Sequence, residues 1–179
     1  LCEYIKGMDI MEDLVVVSPD AGFAKTARKY ADYLQLPVAI GDKTRTDHDE
    51  NAHILELIGN VEGKNCMIVD DFSISGGTLI DVAHMLKSRG AKRIVAVLGH
   101  IMLREKGVKA INESPIETVI STDSVENPFI IGQKKFQTVS VAPLFAEAVY
   151  RIHERESVST LFSTVPQKLK DDLKESCGK

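Results

Sequence analysis

The chain has 179 residues, of which 44% are hydrophobic and 27% are charged, and its formal net charge is −4 with a pI near 5.8. This length and composition fit one domain with a substantial core. The acidic balance offers no basic surface for a nucleic acid, and no apolar run approaches the roughly eighteen residues of a membrane span. We therefore expect a soluble chain without nucleic-acid or membrane partners.

The first residues and the cysteines bear on whether the chain is a fragment and on the compartment in which it is found. Residues 1–5 resemble the middle of a helix with no capping residue ahead, so we expect a fragment of a longer protein. Cys2, Cys66 and Cys177 are widely separated and lack paired metal-ligand spacing, which favours a reducing compartment and a cytoplasmic location.

Short apolar runs alternate along the chain with stretches of helical periodicity. Because the runs are continuous rather than alternating, they are typical of strands that are covered on both faces. The predicted strands are 14–17, 37–40, 66–69, 93–98, 118–120 and 138–141. Predicted helices occupy 24–34, a segment from Leu79 that is capped by Gly90, and a segment that starts at Pro143. The repeated strand–helix order predicts an α/β class with a mainly parallel central sheet.

Two polar stretches lack a regular pattern. Residues 41–53 directly follow a predicted strand, and we expect them to form a mobile loop. Residues 163–179 are rich in Lys, Asp and Glu and are expected to form a surface helix with a frayed end. The predicted organisation is one domain over 1–162 and a tail over 163–179.

The strongest local signal is an apolar strand followed by two acids and a Gly-rich turn. Asp70 and Asp71 follow residues 67–69, and Ser75, Gly76, Gly77 and Thr78 precede an amphipathic helix. Glycine lets backbone N–H groups approach an anion, and the helix N-terminus and the hydroxyls favour a phosphate. The acids cannot favour an anion, so we expect them to bind sugar hydroxyls or a hydrated Mg²⁺. The pattern predicts a sugar-phosphate site, although a strand end followed by a simple helix cap explains it equally well.

A longer set of segments resembles a known family. Residues 69–78 resemble the phosphoribosyl pyrophosphate (PRPP) loop of type I phosphoribosyltransferases, and the wider context resembles the C-terminal half of ribose-phosphate pyrophosphokinases. The segments that carry the wider resemblance are 15–20, 39–45, 140–148, 151–154 and 156–159. The resemblance implies a type I phosphoribosyltransferase-like three-layer sandwich, and an enzyme that transfers diphosphate from ATP to the C1 hydroxyl of ribose 5-phosphate, giving PRPP and AMP.

The resemblance also implies roles for particular residues. Lys43 and Arg45 match the basic pair of a flexible catalytic loop that neutralises charge on the transferring group. Asp70 and Asp71 would bind the ribose 2- and 3-hydroxyls directly or through Mg²⁺, and Asp20 would lie near the same metal. Ser75, Gly76, Gly77 and Thr78 would hold the 5-phosphate. A homo-oligomer is also implied.

Departures from the family pattern weaken parts of this interpretation. Ile74 stands where many relatives carry a third acid, Phe23 replaces a usual glycine, and Thr44 replaces the middle residue of a basic run. The family's determinants for ATP come largely from an N-terminal half that this sequence lacks, so we expect the chain alone to be inactive or weak. Two alternatives stay open, a PRPP-dependent phosphoribosyltransferase and a noncatalytic regulatory relative of the pyrophosphokinase.

Other candidate groups are weaker. Asp47, His48, Asp49, Glu50 and His53 are suitable metal ligands by type, but the segment lacks the spacing of a dedicated site, and a solvated loop is favoured. His84 and His100 have no neighbouring nucleophile motif and are expected to be structural or to support other residues.

Overall fold

The computed structural model describes residues 1–45, 53–162, 164–167 and 170. The strands are β1 (Leu14–Ser18), β2 (Val38–Arg45), β3 (His53–Ile58), β4 (Asn65–Ser73), β5 (Arg93–Ile101), β6 (Thr118–Thr122) and β7 (Phe136–Val139). The helices are α1 (Cys2–Ile5), α2 (Ala24–Leu34), α3 (Gly77–Ser88), α4 (Glu105–Glu113) and α5 (Ala142–His153), with 3-10 turns at Pro128–Ile130 and Ser159–Phe162. None of the described helices is long and apolar enough to cross a bilayer.

The seven strands form one sheet in the order β3-β2-β1-β4-β5-β6-β7. All neighbouring pairs are parallel except β2 and β3, which are antiparallel at one edge. Helices cross over from β1 to β2, from β4 to β5 and from β5 to β6. The predicted α/β class with a mainly parallel sheet is therefore confirmed.

Hydrophobic residues cover both faces of the sheet. One cluster packs α3 and α4 against the face that carries Val17, Ile68 and Leu98. The other packs α1 and α2 against the face that carries Val16 and Val69. Because successive strand residues point to opposite faces, the continuous apolar runs supply both clusters at once. The result is the three-layer sandwich that the resemblance implied.

The prediction of a mobile loop over residues 41–53 is wrong at both of its ends. β2 continues through Arg45, and β3 begins at His53, so that Lys43 pairs with Leu55 and Arg45 with His53. A polar run forms a strand here because the run from His53 to Ile58 provides an antiparallel partner for its backbone groups. The remaining residues of this stretch, including Asp47, His48, Asp49 and Glu50, lie outside the described residues.

The helices differ from the prediction in number and in burial. α1 is a single short turn and α4 was not predicted, whereas the predicted cap at Gly90 is present with φ 84°. α5 begins at Ala142, one residue before the predicted start at Pro143, and it contributes no buried side chain. The proposed boundary at residue 162 stays a prediction, since most of the tail lies outside the described residues.

Candidate functional site

The candidate site lies where the strand order reverses. The chain leaves β1 towards β2 on one side and leaves β4 towards β5 on the other, so the carboxyl ends of β1 and β4 flank the switch point. In an open α/β sheet, this is the crevice in which ligands bind. Asp20 follows β1 and Asp70 and Asp71 lie near the end of β4, so the fold brings these three predicted residues to one crevice.

The two acids of β4 differ in environment. β4 extends to Ser73, beyond the predicted strand, and pairs Asp70 with Leu98 and Phe72 with His100 of β5. Burial raises the pKa of Asp70 from 3.8 to about 6; the negative charges of Asp71 and Asp20 add to this, and the hydrogen bond from the Asp71 N–H opposes it. Asp71 is exposed and accepts a hydrogen bond from the N–H of Phe72 at 2.8 Å. The crevice therefore concentrates negative charge that a cation or hydroxyl donors can offset.

The Gly-rich turn opens the N-terminus of α3. Gly76 is the N-cap residue with φ 80°, a left-handed conformation that glycine adopts without steric cost, and it has no side chain with which to cap the helix. The N–H of Gly76 is bonded to the hydroxyl of Ser73 at 3.2 Å, and that of Gly77 to the hydroxyl of Ser75 at 3.3 Å. The N–H groups of Thr78 and Leu79 precede the first intrahelical bond, which runs from the Ile80 N–H to the Gly76 carbonyl, and so have no intrahelical acceptor. An uncapped helix start with exposed serine and threonine hydroxyls is suited to an anion.

Two glycines let backbone segments come close enough to fix this turn and the acids. A Cβ on Gly107 of α4 would lie 2.9 Å from the carbonyl oxygen of Ser75, and a Cβ on Gly99 of β5 would lie 2.9 Å from that of Asp71. Contacts this short are excluded for any side chain, so α4 and β5 hold their positions only with glycine. Neither glycine could be identified from the sequence, because only the tertiary contact reveals its role.

The turn after β1 is held by its own polar groups. The buried hydroxyl of Ser18 donates to the carbonyl of Asp20 at 2.7 Å, and the Asp20 carboxylate accepts the N–H of Phe23 at 2.9 Å. This carboxylate is exposed beside the crevice. Within the part of the chain that the structure describes, no three acidic, histidine or cysteine side chains converge closely enough to hold a metal ion by themselves.

The basic pair predicted to be catalytic lies on the other side of β1. Lys43 and Arg45 are two residues apart in β2, beyond Ile40, the last residue of β2 that pairs with β1. Their backbone belongs to the β2–β3 ribbon, which projects from the carboxyl edge next to the turn of Asp20. The same edge thus carries the acids, the Gly-rich turn and the basic pair in three neighbouring strands.

A further polar group lies at this edge, and it includes His100, which was expected to be structural or to support other residues, together with Ser124 and Thr122, which were not singled out from the sequence. His100 at the end of β5 is exposed, and its Nδ1 lies 2.6 Å from the hydroxyl of Ser124, which in turn lies 2.7 Å from the hydroxyl of Thr122. Thr122 donates to the carbonyl of Gly99. In the sequence, the feature that points to this group is the polar run that directly follows β6.

The chain is similar to known proteins over most of its length. A family model described as the phosphoribosyl synthetase-associated domain matches residues 50–163. The chain is 43% identical over 162 residues to a ribose-phosphate pyrophosphokinase of Listeria ivanovii and 41% identical over 163 residues to that of Bacillus subtilis. These alignments cover 90% and 91% of this chain but 51% of each relative, so the chain spans about half the length of the curated relatives it matches.

The chain is also similar to a solved structure. The crystal structure of phosphoribosylpyrophosphate synthetase from Mycobacterium smegmatis superposes with a TM-score of 0.74 at 30% identity, covering 86% of this chain and 49% of that one. The fold and its site edge therefore define an α/β domain of the phosphoribosyltransferase type. The family match covers more than half of the chain, and the chain belongs to the phosphoribosyl synthetase-associated domain family.

Proposed function

We propose that this chain supplies the ribose 5-phosphate site and the catalytic ribbon of a ribose-phosphate diphosphokinase. The observation that carries the proposal is the uncapped start of α3 beside the paired carboxylates of β4 at the switch point. An anion and a polyhydroxyl group belonging to one small molecule satisfy both features at once. The reaction in this proposal is the one that the resemblance to ribose-phosphate pyrophosphokinases implies, in which diphosphate passes from ATP to the C1 hydroxyl of ribose 5-phosphate and leaves AMP.

Each part of the edge has a separate role in this proposal. The 5-phosphate binds at Ser75, Gly76, Gly77 and Thr78, where backbone N–H groups and hydroxyls are available. Asp70 and Asp71 bind the 2- and 3-hydroxyls. Lys43 and Arg45 neutralise charge on the transferring diphosphoryl group, because transfer of this kind depends on positioning and electrostatics rather than on covalent chemistry.

The acids also fit a Mg²⁺ ion of the kind that such a reaction uses. Asp20, Asp70 and Asp71 offer hard carboxylate oxygens, and their negative charges already disfavour one another. Mg²⁺ is usually held by one or two carboxylates together with water and substrate oxygens, so these side chains would supply only part of its coordination. When bound, the ion offsets the negative charge of the phosphates.

We expect the ATP-binding part of the active site to come from sequence outside this chain. Since the relatives are about twice as long as the matched region, the ATP determinants belong to sequence beyond this chain in our proposal. The chain alone is then expected to bind ribose 5-phosphate or PRPP more tightly than ATP and to turn over weakly. Tight ATP binding in calorimetry without sugar phosphate would contradict this arrangement.

The decisive test is release of AMP from ATP by the full-length gene product with ribose 5-phosphate and Mg²⁺. Lys43→Ala and Arg45→Ala are each expected to lower kcat by about 100-fold or more, in the range seen when charge-stabilising groups are lost. Lys29→Ala provides a matched control, because Lys29 lies exposed on α2. Its kcat should equal that of the wild type.

Other outcomes distinguish the alternatives. Binding of sugar phosphate without release of AMP would favour the noncatalytic regulatory relative. Consumption of PRPP with a free base would favour a phosphoribosyltransferase. The cytoplasmic location and the homo-oligomer are also part of our proposal, the first supported by the unpaired Cys2 and Cys66 and the second by the resemblance alone.

A further inference from the structure

The end of β4 and the Gly-rich turn are connected by a buried hydroxyl to which the proposed function gives no role. Ser73 is the last residue of β4 and is 8% exposed. Its hydroxyl oxygen accepts a hydrogen bond from the N–H of Gly76 at 3.2 Å. This bond is buried, whereas the bond from the Gly77 N–H to the Ser75 hydroxyl is exposed. A polar side chain in the interior therefore links the strand to the turn.

The backbone of Ser73 is held by the neighbouring strand. Ser73 pairs with Ile101 of β5, and its carbonyl oxygen accepts the N–H of Met102 at 2.9 Å. Because the backbone conformation restricts which rotamers a side chain can adopt, a fixed backbone also limits where the hydroxyl can lie. Gly76 is thus bonded to a fixed point on the sheet.

The N–H of Gly76 needs an acceptor from within the protein. Gly76 is buried and has φ 80° at the start of α3, and the hydroxyl of Ser73 supplies the acceptor. A buried N–H group without a partner is costly. Removal of the hydroxyl would therefore force the turn to change its backbone conformation or to admit water.

The bonds to the two glycines decide which N–H groups stay available for an anion. Serine hydroxyls accept the N–H groups of Gly76 and Gly77, so the next donors are those of Thr78 and Leu79, which have no intrahelical acceptor. These are the second and third residues of α3, whose N–H groups an N-cap side chain normally bonds. The directions of both N–H groups follow from the backbone of the turn.

We propose that Ser73 is a positioning residue for the 5-phosphate. Its hydroxyl holds the N–H of Gly76 and so fixes the turn in the conformation that presents the Thr78 and Leu79 N–H groups to the phosphate. The inference rests on the proposed function and adds to it a residue that acts through the turn. The phosphate, rather than the sugar hydroxyls or ATP, is the part of the substrates that this role concerns.

The test removes the hydroxyl and compares the effect on the two substrates. In the full-length protein with Mg²⁺, Ser73→Ala should weaken binding of ribose 5-phosphate in calorimetry by about fivefold, as expected for one hydrogen bond. In the AMP-release assay, the KM for ribose 5-phosphate should rise by a similar factor, and the KM for ATP should stay at the wild-type value. A loss of stability alone would lower the amount of active protein and leave both KM values unchanged.

Ser114→Ala is the matched control. Ser114 is also 8% exposed, and its hydroxyl accepts the N–H of Ile116 at 3.3 Å and donates to the carbonyl of Ile111 at 2.7 Å. It lies at the carboxyl end of α4, away from the contact of Gly107 with the turn. Because this variant loses two hydrogen bonds, its free energy of unfolding should fall at least as far as that of Ser73→Ala. Its affinity for ribose 5-phosphate should equal that of the wild type.

The outcomes separate this inference from the proposed function. If the wild type does not bind ribose 5-phosphate, the proposed function fails and the inference fails with it. If the wild type binds it and Ser73→Ala binds it equally well, the proposed function stands and the role of Ser73 is overturned. The same conclusion follows if Ser73→Ala and Ser114→Ala weaken binding by the same factor.

Amide hydrogen exchange examines the same bond in the wild type, without a variant that could misfold. In the protein without ligand, the N–H of Gly76 should be protected, whereas that of the exposed Thr78 should exchange rapidly. Ribose 5-phosphate should slow exchange at Thr78 and leave Gly76 protected. Rapid exchange at Gly76, with or without the ligand, would overturn the inference.

Discussion

The region of β4, α3 and α4 and the helix α5 are built from similar apolar residues but are buried very differently. In the first region, Leu79 and Leu86 of α3 and Ile111 of α4 are at most 1% exposed. In α5, Phe145, Val149 and Ile152 are between 62% and 66% exposed. The candidate turn is thus supported by a packed layer, whereas α5 contributes no buried side chain.

This difference shows that a helical apolar stripe does not by itself place a helix in the core. α3 and α4 lie over the middle of the sheet, where β4, β5 and β6 present buried side chains. α5 follows the short edge strand β7, in which only Val139 is buried. A site that requires fixed backbone N–H groups is found in the well-packed region, as expected for preorganised binding.

The largest expected effect is on the free energy of unfolding, when the same substitution is made in α4 and in α5. Ile111→Ala should lower the free energy of unfolding by about 2–5 kcal/mol, because it leaves a cavity under α4. Ile152→Ala should change it by less than about 0.5 kcal/mol, since the side chain is largely solvated. Urea unfolding of both variants measures the difference. Equal losses would show that α5 is packed in solution.

The next effect concerns the contact between α4 and the Gly-rich turn. Gly107→Ala places a Cβ 2.9 Å from the Ser75 carbonyl oxygen, so the turn must move. We expect the affinity for ribose 5-phosphate to fall about tenfold or more, because small displacements of positioning groups are costly. Calorimetry measures the loss.

A control separates this displacement from lost stability. Gly132 has φ 74° and open space around its Cβ position, so Gly132→Ala should cost about 1 kcal/mol in backbone strain. Its affinity for ribose 5-phosphate should stay at the wild-type value. A comparable fall in affinity in both variants would contradict the role assigned to Gly107.

A smaller effect concerns the stability that the protein loses by burying the ionised carboxylate of Asp70. The native pKa of about 6 exceeds the ordinary 3.8, so as pH rises between these values the unfolded state ionises first and the native state loses stability. The free energy of unfolding of Asp70→Asn should therefore equal that of the wild type below pH 3.8. Above pH 6 it should be higher than that of the wild type by roughly 1 kcal/mol, a figure reduced for the partial exposure of Asp70.

Unfolding without Mg²⁺ at several pH values measures this difference. Asp123→Asn is a contrasting variant: hydrogen bonds from Ser140 and the Val141 N–H lower the pKa of Asp123, so its carboxylate stabilises the native state above the ordinary 3.8. That variant should lose stability at neutral pH. A pH-independent gain in Asp70→Asn would rule out ionisation as its cause.

The smallest effect concerns how the end of α5 is held. Arg151 contacts Glu147 at 2.7 Å and donates to the Ser157 carbonyl at 3.2 Å and to the Thr160 hydroxyl at 2.9 Å. Arg151→Met should cost at most about 1 kcal/mol, because the pair is partly solvated. Hydrogen exchange should accelerate in residues 157–162, while exchange in α3 stays unchanged. A global loss of protection would contradict a local role.

Several elements followed directly from local pattern. The runs in β1, β4 and β5 predicted buried strands, and Gly90 predicted the end of α3, because burial on both faces and a left-handed cap each leave a signature in nearby residues. The Asp70-Asp71 pair and the Gly-rich turn were recognisable for the same reason. The ribbon of β2 and β3 was not, since a polar strand is defined by its partner across the pair rather than by its own composition.

The sequence by itself determined the fold class, the family resemblance and the acid and glycine positions of the candidate loop, since these depend on short segments. Only the tertiary structure decided that Gly99 and Gly107 must be small, that the apolar residues of α5 are exposed within the described part of the chain, and that His100 shares an edge with the loop. The physical reason is the same in each case, because close approach, burial and hydrogen-bond direction are properties of residues distant in sequence. The loop of β4 and α3 is therefore part of a wider edge that β5 and β6 complete.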